Sequence, residues 1–224
     1  MKERILFCWS GGKDSAMALG ELLRAGECEI AALLTTVTED YDRISMHGVR
    51  RVLLEAQATS LGLPLRIVLI PSGCTNEIYE AGMREALEGF LAQGIRRAAF
   101  GDLYLADVRE YRERNLSRVG MEAVFPLWQR DTATLARSFI AQGFQAVLTC
   151  VDTRKLDASF AGRLFDARLL ADLPPGIDPC GENGEFHTFV FAGPIFHQPI
   201  PFTRGESVLR DGFCFADLIP APCA

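Results

Sequence analysis

Trp9-Ser10-Gly11-Gly12-Lys13-Asp14-Ser15 stands between the apolar run Ile5 to Trp9 and a segment whose small or apolar positions Met17, Ala18, Leu22 and Leu23 recur at helical spacing before Gly26. A short apolar run fits a strand buried on both faces, as in a parallel sheet, and the periodic segment fits an amphipathic helix. The stretch therefore reads as strand, tight glycine turn and helix start. Adjacent glycines let the backbone take conformations closed to other residues and let an anion approach the amides. Ser10 and Ser15 add hydroxyls, Lys13 adds a positive charge, and the free N–H groups of the first helical turn point the same way with the helix dipole behind them. Together these groups predict a phosphate site. It is not the G-x-x-x-x-G-K-[ST] loop, because Gly11 and Gly12 are adjacent and Asp14 stands where that loop has Ser or Thr.

Glu29 to Val37 is a second apolar run, ending in Thr35-Thr36-Val37-Thr38. Polar residues at the carboxyl end of a parallel strand face the ligand crevice, so Thr35 and Thr36 are candidates to meet an adenine or ribose, the alternative being a plain strand end. Glu39 to Gly48 is a polar connection carrying Tyr41, Met46 and His47, before a helix from Val49 to Leu61 that Gly62 and Pro64 stop. His47 is either a residue leading into that helix or a site group. Leu65 to Ile70 is a third strand, and Thr75 to Gln93 a long helix with Thr75 or Asn76 as N-cap. Arg97 to Phe100 is a fourth strand ending in Gly101-Asp102. A glycine there lets a ligand lie close to the backbone, and Asp102 is placed for Mg²⁺ or a hydroxyl, or else caps the next helix. Val108 to Val119 alternates Arg and Glu and reads as a solvated helix face, leaving one or two arginines as candidates to reach a phosphate.

Glu122 to Phe125 is a fifth strand, and the alternation of strands with helices predicts an α/β fold on a doubly wound, parallel five-stranded sheet. After Pro126-Leu127-Trp128 the texture changes. A helix from Thr132 to Gln142, a strand from Ala146 to Val151, polar Asp152 to Lys155 and a short helical piece lead to Pro174-Pro175-Gly176, then to antiparallel strands at Phe186 to Phe191 and Ser207 to Phe215. A boundary near residue 127 is expected, with 1–127 as the nucleotide-binding domain and 128–224 as a smaller α+β acceptor-substrate domain.

The chain has 224 residues, 49% of them hydrophobic, enough for a substantial core. A net charge of −6 argues against broad nucleic-acid binding and leaves an anionic macromolecule needing a specific pocket. Seven scattered cysteines, Cys8, Cys28, Cys74, Cys150, Cys180, Cys214 and Cys223, form no C-x-x-C pair, against a disulfide scaffold or a zinc ribbon. With no signal-like or membrane-length apolar segment, a cytoplasmic protein without membrane attachment is expected.

Asp178-Pro179-Cys180-Gly181-Glu182-Asn183-Gly184-Glu185-Phe186-His187-Thr188 is the second unusual stretch, with carboxylates, an amide, an imidazole and a hydroxyl in a glycine-punctuated turn. Alone it reads as a hairpin-type loop, since Asn-Gly is a strong turn dipeptide. With Ser10 to Ser15, which match S-G-G-x-D-S, it makes the chain resemble the PP-loop (HUP-like) ATP pyrophosphatases. Gly101-Asp102, Pro126-Leu127-Trp128, Gly181 to Val190, Gly193-Pro194-Ile195-Phe196 and the Met46-His47 position look like the diphthine–ammonia ligase branch of that family, over nearly the whole chain.

That resemblance implies an ATP-dependent amidation. The carboxylate of diphthine, a modified histidine of elongation factor 2, is adenylated with release of pyrophosphate, and ammonia then displaces AMP. It implies that Ser10, Gly11, Gly12 and Ser15 hold pyrophosphate, that Lys13 neutralises charge on the α- and β-phosphates, and that Asp14 holds Mg²⁺. Thr35, Thr36, His47, Gly101 and Asp102 complete the ATP contacts. Glu182, Asn183, Gly184, Glu185 and Thr188 form the acceptor side, with Glu182, Glu185 and His187 catalytic: one carboxylate orients ammonium or takes its proton, and the other grips the trimethylammonium-bearing substrate. A homodimer is compatible with this picture. The rivals are a PP-loop enzyme acting on another carboxylate, a tRNA-base-modifying thiolase, which needs catalytic cysteines or a basic surface, and a regulatory ATP-binding module, which has little use for the carboxylate-rich run.

Overall fold

Alternation along the first strand fixes the architecture. In the computed structural model, which describes residues 2–45 and 47–222, β1 (Glu3–Cys8) sends Ile5 and Phe7 into one core and Leu6 into another. Met46 and Cys223 lie outside the described residues. The chain continues through α1 (Lys13–Ala25), β2 (Cys28–Thr38), β3 (Arg43–Ile44), α2 (Arg51–Leu61), β4 (Leu65–Ile70), α3 (Asn76–Leu91), β5 (Arg97–Ala99), α4 (Ala106–Arg118) and β6 (Glu122–Val124). Strands β4, β2, β1, β5 and β6 lie side by side in that order, all parallel. Helices α1 and α2 cover the Phe7 face and α3 and α4 the Leu6 face, so the sheet is doubly wound as expected. The two-residue β3 is an addition: it pairs antiparallel with Val37 and Thr38 on the edge of β2 that β4 leaves open.

A register shift between Ile5 and Leu6 sets Ile30 and Ala32 of β2 opposite them, so Ile30 and Leu33 share one core while Ala32 and Leu34 enter the other. A bulge reverses the inside–outside phase of a strand without breaking its pairing, and here it lets both ends of β2 stay buried.

The rest of the chain adds α5 (Thr132–Ala141), β7 (Gln145–Asp152), α6 (Ala167–Asp172), β8 (Phe186–Ala192), β9 (Phe202–Arg210) and β10 (Phe213–Pro220). The four strands form an antiparallel sheet in the order β8-β7-β10-β9. One expectation changes: Ser207 to Phe215 is not a single strand but the end of β9, a turn and the start of β10. Asp211 and Gly212 both take positive φ, 50° and 80°, the conformation a tight Asp-Gly hairpin turn demands.

Ala146, Leu148, Phe189, Val190 and Leu218 of this second sheet join α1, α2 and the Phe7 face in one core cluster. Each fully buried Leu or Phe there contributes about 1.5–3 kcal/mol. At the rim Arg50 reaches Asp217 of β10 through two hydrogen bonds of 3.1 and 2.6 Å, and Arg43 meets the same carboxylate at 2.9 Å.

Candidate active site

The carboxyl ends of β1, β2 and β5, the start of α1 and the loop before β8 enclose a cleft of about 410 Å³. Ser10, Gly12, Lys13, Asp14 and Ser15 line one wall, Thr35, Thr36 and His47 a second, Gly101 and Asp102 a third, and Glu182, Gly184, His187 and Thr188 the fourth. The two sequence constellations thus meet in one cavity. Gly11, Asn183 and Glu185 are not among its lining residues.

The loop is more heavily tied than the expectation of free amides allowed. Gly12 N–H donates to Ser10 Oγ at 3.2 Å and Lys13 N–H to Thr188 Oγ1 at 3.0 Å, while the Ser10 and Ser15 hydroxyls bond each other at 2.8 Å. Among the described residues, Gly11, Asp14 and Ser15 are left with N–H groups that meet no protein acceptor. Val190 N–H donates to Gly11 O at 2.9 Å, so β8 is hydrogen-bonded directly to the loop. Thr188 is therefore a support of the loop as well as a wall of the cleft.

Lys13 is 4% exposed. Its ammonium donates to Asp14 Oδ2 at 2.7 Å and to the Cys180 carbonyl, and lies 5.7 and 5.5 Å from the ring centroids of Phe165 and Phe186. Burial alone pulls its pKa down, but the nearby Asp14, Cys180 and Glu182 outweigh this and raise it above the ordinary lysine value, so the charge is kept. A desolvated cation here attracts a polyphosphate more strongly than one in water does.

Glu182 crosses the cleft. Its Oε1 accepts from Leu103 N–H at 2.8 Å and Tyr104 N–H at 3.3 Å, joining the loop before β8 to the end of β5. Burial pushes its carboxyl up to about 7, against the pull of those two N–H donors. A carboxyl poised near neutrality suits proton transfer. Glu185 behaves differently from the expectation. It is 2% exposed, and its Oε1 accepts from Asp178 N–H and Asn183 Nδ2 at 3.2 and 3.1 Å, so it shapes the loop from beneath instead of facing a substrate.

Asp102 is also committed, since both its oxygens bind Arg112 of α4, at 2.7 Å from Nε and 3.1 Å from Nη2. This carboxylate neither caps α4, whose N-cap is Leu105, nor stands free for a cation. Arg112 lines the cleft and is the one arginine of the charged helix to do so. Gly101 has a second neighbour besides the cleft it lines. A Cβ on it would lie 2.8 Å from Ser15 N, so the glycine allows the end of β5 to press on the first turn of α1.

The His47 and His187 rings pack against each other with centroids 4.5 Å apart and planes tilted by 34°. Burial lowers His47 to about 3, helped by the His187 and Lys13 charges, and lowers His187 to about 4, helped by Lys13. Both are neutral at pH 7 and serve as flat aromatic surface with neutral hydrogen-bonding nitrogens. The two cleft thiols are held protonated: burial pushes Cys8 up to about 12 and Cys180 further still.

Among the described residues no group of three or more His, Cys, Asp or Glu side chains is placed to hold a metal. Mg²⁺ does not need one, because it binds through one or two carboxylates plus substrate phosphates and keeps several waters. Asp14, which lines the cleft and uses Oδ2 on Lys13, has the donor chemistry for that arrangement.

Two contributors escaped the sequence reading. Arg112 was one of four arginines on a helix, with nothing local to distinguish it. Gln57 was detectable, as a single amide on the apolar face formed by Leu53, Leu54, Ala58 and Leu61.

Fold and cleft together define a class: a doubly wound parallel α/β sheet with a glycine loop at its carboxyl edge, covered by an antiparallel sheet that supplies a carboxylate. Residues 1–123 match the model of the diphthamide synthase N-terminal domain and residues 131–217 that of the diphthamide synthase C-terminal domain. The chain belongs to the diphthamide synthase family. The diphthine–ammonia ligase of Rattus norvegicus is 25% identical over 239 residues, covering 95% of this chain and 88% of the relative, and that of Homo sapiens is 26% identical with the same coverage. The diphthine–ammonia ligase of Schizosaccharomyces pombe is 27% identical over 92% of this chain, which spans 37% of that longer protein.

Proposed function

We propose that this chain is an ATP-dependent amide ligase that adenylates a carboxylate, diphthine of elongation factor 2 or a related acid, and transfers ammonia to it. A carboxylate is a poor acyl donor because its leaving group would be oxide, whereas an acyl-adenylate leaves as AMP. The observation that carries the reading is the meeting of the two loops. Lys13, next to the glycine pair, donates to Cys180 O of the loop whose Glu182 faces the same cleft.

The residues divide the work as follows. Asp14 and Ser15, which line the cleft, offer unpaired N–H groups to the pyrophosphate half of ATP, with Ser10 and Ser15 supplying hydroxyls, Gly11 shaping the turn and Gly12 giving close approach. Lys13 follows the charge that develops on the bridging oxygen as the α–β bond breaks. Asp14 would hold Mg²⁺, which would supply charge neutralisation to the phosphates. Thr35, Thr36 and the His47–His187 shelf lie on the nucleoside side of the cleft. Glu182 takes the proton that ammonium must lose before its nitrogen attacks, and Glu185 and Asn183 hold Glu182's loop in shape. Two protonated, buried thiols in the cleft disfavour a thiolase of the cysteine-dependent kind.

Exchange of labelled pyrophosphate into ATP, driven by an elongation factor carrying diphthine, tests the first half-reaction. Lys13→Ala is expected to lower exchange by about a hundredfold or more, with circular dichroism confirming the fold. Exchange at the unsubstituted rate overturns the scheme.

A further inference from the structure

Gln57 is wholly buried on α2, among the apolar residues of the larger core, and does not line the cleft. A buried primary amide is costly unless its donors and acceptor are matched. Here they are matched in three directions. Nε2 donates to Gly11 O at 3.0 Å and to Val190 O at 2.6 Å, and Oε1 accepts from the Trp9 indole Nε1 at 3.0 Å. The partners are the residue after β1, the first glycine of the loop, and β8 of the second sheet. Ionised Glu has no N–H to offer, Met and Leu offer neither donor nor acceptor, and Asn is one methylene short. Gln57 also accounts for Gly11, where φ is +77° and a Cβ would lie 2.7 Å from Gln57 Oε1.

We infer that Gln57 is the positioning residue of the phosphate loop. One N–H of its amide holds the Gly11 carbonyl inward against α2 and the other holds Val190 O of β8, which fixes the Gly11–Gly12 peptide and with it the course of the turn into Lys13. Phosphate affinity then depends on a side chain that touches no ligand. This rests on the reading of the loop as the ATP phosphate site.

The full chain is titrated with ATP and with inorganic pyrophosphate in a calorimeter, and its thermal midpoint is recorded. Gln57→Met keeps the volume and removes both donors. Leu54→Ala, on the same helix, opens the core without touching the loop. Gln57→Met is expected to weaken both ligands by about tenfold, the effect of losing one or two net hydrogen bonds, while Leu54→Ala loses at least as much thermal stability and keeps the unsubstituted affinities. Unchanged affinity in folded Gln57→Met, or equal weakening in Leu54→Ala, overturns the inference. If Gln57→Met fails to fold, Gln57→Asn carries the test, since it keeps a buried amide but is one methylene short of Gly11 O and Val190 O. A loss of about threefold in affinity supports the role, and none overturns it. Failure of the unsubstituted chain to bind ATP sinks the reading of the loop itself. Intact binding in chain and variants alike sinks only the role of Gln57.

Discussion

The packed pair His47 and His187 shows how burial turns two bases into neutral surface. Each imidazole titrates near 6.5 when unfolded but near 3 and 4 in the fold, so between those values the unfolded state binds more protons. Their contribution to stability is whole above about pH 6.5 and is lost as the pH falls through that window. Glu182 runs the opposite way: its carboxyl is raised from 4.5 to about 7, so stability falls as the pH rises through that interval. Two imidazoles act against one carboxyl. A His47→Gln, His187→Gln variant is expected to lose less stability between pH 7 and pH 4 than the unsubstituted chain, by up to about 6 kcal/mol, measured by urea unfolding at each pH. Equal losses would place the imidazoles in water. Much of this chemistry was readable from the chain alone, because Ser10 to Ser15 and Gly181 to Thr188 are contiguous runs. Gln57 showed only as an odd amide on an apolar helix face and Arg112 not at all, because what gives Gln57 its meaning is Val190 O, 133 positions away, and what singles out Arg112 is the fold that brings Asp102 and the Phe100 ring to its guanidinium.

The strands and helices followed from periodicity and punctuation, since five apolar runs and the helices between them carry their own stop signals. Thr75 was named as an N-cap and does accept from Ile78 N–H. Misreadings came where the signal was short or changed phase: β3 has two residues, and β9 and β10 were merged across Asp211-Gly212 although that dipeptide is itself a turn signal. The end of β5 illustrates how an element read from the sequence gained a second reason. Gly101 lines the cleft and is also small enough for α1 to press on it, so Gly101→Ala is expected to push the first turn of α1 away. The cost in stability should be about 1–3 kcal/mol, as for other overpacked sites, together with weaker ATP binding, read by thermal unfolding and calorimetry. A variant as stable and as avid as the unsubstituted chain would mean that the contact relaxes freely.

Phe7, Leu53, Phe189 and Leu218 belong to one apolar cluster although they come from both sheets. Contact of that kind couples the unfolding of its members. Urea unfolding followed by far-ultraviolet circular dichroism and by tryptophan fluorescence is expected to give one superimposable transition. Two separated transitions would show the sheets unfolding independently. How the second sheet leans on the first was hidden from the sequence, because such packing depends on the shapes of two faces and not on any pattern along the chain.

The bond from Lys13 N–H to Thr188 Oγ1 joins residues 175 positions apart. A ribosome delivers the amino end first, so the glycine turn emerges early, and Thr188 and Val190 emerge only after most of the chain has been made. Until then the nascent turn lacks the clasps that set its shape. The shape of the glycine turn is therefore completed late in synthesis, at the same time as Glu182 takes its place in the same cleft.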